Sequence, residues 1–279
     1  MAKILNSTVK NIPWQDKPAN CADPVWRYTE NPIIDRSFVK EANSIFNSAV
    51  VPYGDGFAGV FRMDDITREQ YLVTGFSDDG IHWKLNDEKI FRGYDPRLCE
   101  IDGKYYLFYE RTRPVIFNLL SLVGAKWKSE IYCMTSKNLK EWSKPFLVIG
   151  KTRDYEEYKE GFAISNPFLM NIDGKYRMYY SCGQTFIKDC GFCEPTHISF
   201  AESESITTGF VSREKPIISP DKNIEYLNLC SGCLKVYKLK DCYIGLQNGL
   251  FEKNGKSHSA IMLLKSDDGI NFEFVKPFL

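Results

Sequence analysis

The chain lacks net charge, lacks any long apolar run and lacks an even set of cysteines, and each absence excludes something. Lysine plus arginine and aspartate plus glutamate number 36 each in 279 residues. A balance of this kind leaves no basic footprint for nucleic acid, so no nucleic-acid partner is expected. No stretch approaches the roughly 20 apolar residues of a membrane span, and Met1-Ala2-Lys3-Ile4-Leu5-Asn6 opens no apolar segment long enough for a signal peptide. No membrane partner and a cytoplasmic location are therefore expected. Nine cysteines, an odd number, suit a reducing compartment better than a disulfide scaffold, which agrees with that location.

What the chain does have is aromatics, 14% of its residues, which supply the flat faces that sugar-binding clefts need. It also has a repeat. Pro13, Pro18, Pro24 and Pro32 deny a helix to residues 1 to 44, where Val25 to Tyr28 and Ile33-Ile34 are at most short strands. This is an N-terminal extension expected to pack on the domain that follows. From there, strand-like runs recur in hairpin groups: Ile45 to Val51, Phe57 to Arg62 and Tyr71 to Phe76 form the first, closed by Ser77-Asp78-Asp79-Gly80-Ile81-His82-Trp83. The second is closed by Ser136 to Trp142, the third ends near Phe210, and the fourth is closed by Ser266 to Phe272.

Closing turns about 60 residues apart, once insertions are allowed, place the chain among all-β propellers. Five blades are expected, the fifth assembled from residues 1 to 40 with Val275 to Leu279, and four are the alternative. Residues 1 to 279 are read as one propeller domain. The first strand of each group should line a central channel, bringing Asn47, Asp95, Asn166 and Asn228 to one mouth of it.

Within the second group, Gly93-Tyr94-Asp95-Pro96-Arg97 enters a strand, and Asp102-Gly103 turns it into Lys104 to Glu110. Pro96 is expected at a first strand position, where its missing N–H is harmless, and as holding Asp95 extended. A carboxylate aimed at a cavity beside a guanidinium reads as a general acid or as a structural ion pair with Arg97. Cys190-Gly191-Phe192-Cys193 and Cys230-Ser231-Gly232-Cys233 have zinc spacing. Cys230 and Cys233, however, fall in an expected strand, where residues three apart face opposite sides, and no metal is expected. The apolar run Val115 to Val123 reads as a blade insertion over the channel mouth or as an oligomer contact, which leaves a homo-oligomer open.

Trp26-Arg27-Tyr28, Asn31-Pro32-Ile33-Ile34, Ala42 to Pro52, Gly56 to Arg62, Gly75-Phe76-Ser77 with Asp79-Gly80-Ile81, and Tyr94-Asp95-Pro96-Arg97 together resemble glycoside hydrolase family 130, most closely its mannosylglucose phosphorylase branch. The resemblance implies a five-bladed propeller that cleaves β-mannosides in an oligosaccharide substrate with inversion. It implies no cofactor, inorganic phosphate serving as co-substrate. It makes Asp95 the general acid and Asn47, Ser48 and Arg62 contacts to the sugar.

The second half departs from the family pattern. Lys159-Glu160-Gly161-Phe162 and Ser165-Asn166-Pro167-Phe168 stand where the phosphorylases carry an Arg-Asn-Gly loop and a lysine, and Gln247-Asn248-Gly249 stands in place of a His-Gly pair. Asn166, Asn248 and Arg97 join the substrate-binding candidates, with Arg97, Arg111, Arg113, Lys159 and Lys235 as cations for a phosphate. An inverting hydrolase would need a carboxylate base instead, Glu160 or Glu194. A sugar-binding propeller without catalysis is the third alternative.

Overall fold

Strands alternating with tight turns account for almost all of the regular structure. The structure, a computed structural model, describes residues 18–20, 27–113, 127–159 and 161–277. Among these the helical elements are single 3-10 turns at Arg36–Phe38, Asp154–Glu156 and Glu225–Leu227. The chain divides into two compact units, one of Asn6–Arg111 with Cys133–Phe146 and one of Met1–Leu5, Thr112–Tyr132 and Leu147–Leu279.

In the first unit, β1 (Ala42–Tyr53), β2 (Gly56–Asp65), β3 (Gln70–Ser77) and β4 (Trp83–Arg92) pair in chain order as an antiparallel sheet. Alternation along β2 sorts its side chains: Phe61 and Met63 join Val39, Val73 and Leu85 in an apolar core, while Arg62 lies on the opposite face. Trp83 packs edge-on against Phe61 at 5.1 Å between ring centroids and donates its indole N–H to the Gly80 carbonyl. β5 (Tyr94–Ile101) and β6 (Lys104–Arg113) follow as the expected hairpin. Its turn residues Asp102 and Gly103 have φ of 52° and 72°, the left-handed pair that a two-residue hairpin turn demands. β7 (Trp127–Ser136) and β8 (Phe146–Ile149) straddle the division between the units.

The second unit holds β9 (Glu157–Tyr158), β10 (Gly161–Ile172), β11 (Lys175–Cys182), β12 (Thr185–Ile187), β13 (Phe192–Glu194), β14 (His197–Ser203) and β15 (Val211–Ser212). β16 (Cys230–Lys238), β17 (Tyr243–Lys253), β18 (Lys256–Ser266) and β19 (Glu273–Pro277) complete it. β10, β11, β14 and β15 neighbour one another in one sheet, and β16 to β19 form another in chain order. Their core contains Phe168, Tyr179, Phe200, Leu234, Val236, Met262 and Leu264. Arg177 crosses it, stacked 4.5 Å from the Phe200 ring, paired with Glu202, and donating to the Asp268 and Gly269 carbonyls.

The closing turns repeat atom by atom. The hydroxyl of Ser77 accepts from the N–H of Asp79 and Gly80, and Asp79 Oδ1 then accepts from Ile81 and His82. Ser136 with Asn138, and Ser266 with Asp268, build the same pattern. In the third turn Ser203 and Ser205 share it in shortened form. A small hydroxyl followed two residues later by an Asx side chain competes well for backbone N–H groups, and this is why the turn recurs.

Several expectations change. Val275 to Pro277 lie in β19, paired to β18, so they complete the fourth sheet rather than begin a fifth. Ile33-Ile34 form a bend, and Arg27-Tyr28 are not strand; prolines and the 3-10 turn occupy this segment instead. Residues 1 to 17, Val25-Trp26, Val115 to Val123 and Glu160 lie outside the described residues. Among the described residues no helix is long and apolar enough to cross a membrane.

Candidate active site

The first strand of each of four hairpin groups is interrupted at the same place. The register of β1 against β2 slips between Phe46 and Ser48, that of β5 against β6 between Tyr94 and Arg97, that of β10 against β11 between Ser165 and Phe168, and that of β16 against β17 between Cys230 and Cys233. Inside these bulges Asn47, Asp95, Asn166 and Gly232 have φ of 48°, 44°, 52° and 61°. Asn, Asp and Gly are the residues that tolerate this left-handed region, and a bulge re-aims the side chain it carries. Asp95 is therefore left-handed, not extended as expected. Pro96 sits inside the bulge, third in its strand, where a broken ladder asks for no N–H. A left-handed residue ahead of a proline is a strained arrangement of the sort that persists at functional sites.

The fourth position also corrects an expectation. Gly232, not Asn228, is the counterpart of Asp95. Asn228 lies before β16, where its amide donates to the Glu252 carbonyl and accepts the Glu252 N–H. Only glycine fits the fourth bulge, because a Cβ there would come 1.8 Å from the Asn248 carbonyl oxygen.

In the first unit the bulges bring two strands' polar groups together. Asn47 Nδ2 donates to Asp95 Oδ1 at 2.5 Å, and Arg62 Nη1 stands 3.9 Å from the same oxygen. Arg62 is itself held: Nε and Nη2 donate to the two carboxylate oxygens of Asp64 at 2.9 and 3.3 Å, and its guanidinium lies 4.3 Å from the Phe46 ring centroid and 4.8 Å from that of Tyr94. Such a two-pronged ion pair between aromatic faces fixes a cation in one pose. The side chains of Arg62 and Asp95 remain 16% and 17% exposed, enough for a ligand to reach them.

The cation beside Asp95 is thus Arg62, on β2 of a different sheet, rather than its chain neighbour Arg97. Arg97 lies by the Cys99 thiol, whose proton affinity burial raises and this guanidinium partly restrains. Ser48 is exposed next to Asn47, and both border a cavity of about 600 Å³ walled also by Ile45, Phe46, Phe57 and Trp83.

The remaining candidates belong to the second unit or to the edges of the first. Asn166 is half-buried in its bulge, its amide donating to the Ser165 hydroxyl at 3.3 Å. Asn248 is half-buried on β17, opposite Cys233 and Ile261. Arg111 stacks 5.1 Å from Phe91 and Lys235 lies 5.4 Å from Phe168, while Lys159 is exposed. Glu194 is half-buried on β13; burial and the Glu194 charge push the Cys230 thiol up to about 12. Cys190 and Cys193 are exposed at a hairpin end, and among the described residues no three His, Cys, Asp or Glu side chains cluster as a metal site would need.

Asp64, Phe46 and Tyr94 are the members that sequence reasoning missed. The Arg62-Met63-Asp64 spacing, which puts both charges on one face of a strand, is the signal that could have found Asp64.

The family model of glycoside hydrolase family 130, described as β-1,4-mannooligosaccharide phosphorylase, matches residues 7–190. The β-1,4-mannooligosaccharide phosphorylase of Ruminococcus albus is 48% identical over 124 residues, 38% of this chain and 37% of that protein. The β-1,2-mannobiose phosphorylase of Thermoanaerobacter sp. is 26% identical over 173 residues, 54% of this chain and 50% of that protein. The chain thus spans about half or less of the length of these curated relatives. A solved structure of a putative glycoside hydrolase from Parabacteroides distasonis superposes with a TM-score of 0.66 at 19% identity, over 93% of this chain and 84% of that one, a likeness of fold alone. With two thirds of its length matched by the family model, the chain belongs to glycoside hydrolase family 130.

Proposed function

We propose that the protein is a β-mannoside phosphorylase, working in the cytoplasm on mannose-containing oligosaccharides, with Asp95 as its proton donor. The observation that carries this reading is the bulge that turns the Asp95 carboxyl toward Asn47 and Arg62 from a strained backbone position. The architecture proposed with it is a single five-bladed propeller on which the residues before β1 pack; the four repeated hairpin groups account for four of its blades, and the likeness to solved glycoside hydrolases supports the all-β fold.

In this reading a phosphate oxygen attacks the anomeric carbon from the face opposite the glycosidic bond. The bond between that carbon and the leaving oxygen breaks, and the leaving oxygen takes the Asp95 proton, directly or through a sugar hydroxyl. The products are α-mannose 1-phosphate and the shortened sugar, and Asp95 regains its proton from solvent. Arg62 and Asn47, with Ser48 beside them, offer donors to the sugar hydroxyls. Asn166, Asn248 and Arg97 are proposed as further substrate contacts, and the phosphate is the only co-substrate needed.

Incubation with β-1,4-mannobiose, with and without inorganic phosphate, tests the proposal. Mannose 1-phosphate formed only with phosphate is the expected result. Free mannose at the same rate in both would make the protein a hydrolase, and no product in either would leave a sugar-binding protein.

A further inference from the structure

Resting on the reading of Asp95 as proton donor, we infer that Asn47 is a positioning residue that keeps the transferable proton on Oδ2 of Asp95. A protonated carboxyl has one carbonyl oxygen, a good acceptor, and one hydroxyl oxygen, a poorer acceptor that is itself the donor. Asn47 Nδ2 donates to Oδ1 at 2.5 Å, and the Arg62 guanidinium stands 3.9 Å from that same oxygen. No described residue donates to Oδ2. Both sources of positive potential thus make Oδ1 the carbonyl and leave Oδ2 to carry the hydrogen.

With the amide reversed, its carbonyl would face Oδ1 and would hold the proton on that oxygen by accepting it, so the donating sense of Asn47 Nδ2 is what places the proton on Oδ2. Asn47 is also fixed from behind. As the extra residue of the β1 bulge, with φ of 48°, it has a backbone that the strand pairs on either side hold in place. One N–H of the amide orients the acid and the second is left for a sugar hydroxyl. The device supplies orientation, a part of catalysis separable from binding.

Two substitutions test it. Asn47→Gly removes the amide at a position where glycine accepts the backbone angle without strain. Asn47→Asp keeps the shape and deletes the donor. Each is assayed with inorganic phosphate on β-1,4-mannobiose, whose leaving alcohol needs the proton, and on nitrophenyl β-mannoside, whose leaving group needs little. Loss of kcat by about tenfold to a hundredfold on mannobiose, with KM little changed and a much smaller loss on the nitrophenyl sugar, is expected. Equal losses on both would show that Asn47 only holds the mannosyl ring, and would overturn the inference. A crystal structure of Asn47→Gly supplies a readout independent of turnover: the Asp95 carboxyl should be rotated or split between two orientations, and an unchanged carboxyl would overturn the inference. The underlying reading fails separately, if Asp95→Asn lowers turnover of both substrates equally or if the unaltered protein turns over neither.

Discussion

Arg62 and Asp64, two residues apart on β2, are joined by two hydrogen bonds, Nε to Oδ1 at 2.9 Å and Nη2 to Oδ2 at 3.3 Å. This leaves the Nη1 edge of the guanidinium as the one turned toward Asp95. Arg62→Ala should therefore weaken binding of mannobiose by about tenfold or more, as sugar hydroxyls lose a fixed donor. Asp64→Ala should weaken it less, by about threefold, through a guanidinium that wanders. The double variant should be no worse than Arg62→Ala alone, since the two act as one unit. Additive losses in calorimetry would show that Asp64 does not work through Arg62.

Asp95→Asn keeps size and removes the transferable proton. Turnover of mannobiose should fall by about 10²- to 10⁴-fold with little change in affinity, and a nitrophenyl leaving group should recover much of it. Steady-state kinetics on the two substrates decides between this role and a purely structural one.

Arg177 binds across the core of the second unit and is only 9% exposed. Arg177→Met keeps its bulk and leaves the Asp268 and Gly269 carbonyls, and the Glu202 carboxylate, short of a donor. A loss of about 2 to 4 kcal/mol in denaturant unfolding is expected. A change below about 0.5 kcal/mol would mean that these carbonyls find other partners.

Acid stability should depend on Asp65. Burial raises its proton affinity, but hydrogen bonds from the Thr67 hydroxyl and N–H, the Glu69 N–H and Lys89 outweigh that and bring it to about 2. A carboxyl depressed in the folded state stabilises the fold above the ordinary carboxylate range, and this contribution is lost as pH falls from about 4 through about 2. Asp65→Asn should lower stability near neutrality by about 1 kcal/mol, screening allowed for, and flatten the acid limb of the unfolding curve. Parallel pH profiles for variant and unaltered protein would rule out Asp65 as a source.

Much of this was legible from local chemistry. The Ser77, Ser136 and Ser266 turns announce themselves, because a hydroxyl and an Asx side chain capture backbone N–H groups whatever surrounds them. Asp102-Gly103 likewise shows its hairpin. The pairing of Asp95 was less legible: proximity in the chain suggested Arg97, whereas the bulge turns the carboxyl to a cation on another strand. Asn228 was misplaced for a related reason. Polar character suggested a channel-facing side chain, but the equivalent backbone position is glycine, set by the steric demand of the Asn248 carbonyl. Nothing in Val275 to Leu279 by itself names β18 as the partner of Val275 to Pro277, because pairing partners of a short edge strand are chosen by tertiary packing rather than by its own residues.

The recurring left-handed position has an implication for redesign. Three of its four occupants, Asn47, Asp95 and Asn166, differ only in amide or acid, and each adopts a backbone angle that Asn and Asp both tolerate. The fourth is blank, since nothing larger than glycine fits there. An amide-for-acid exchange at any of these three positions should therefore leave the fold intact, whereas a side chain at the fourth should disturb it.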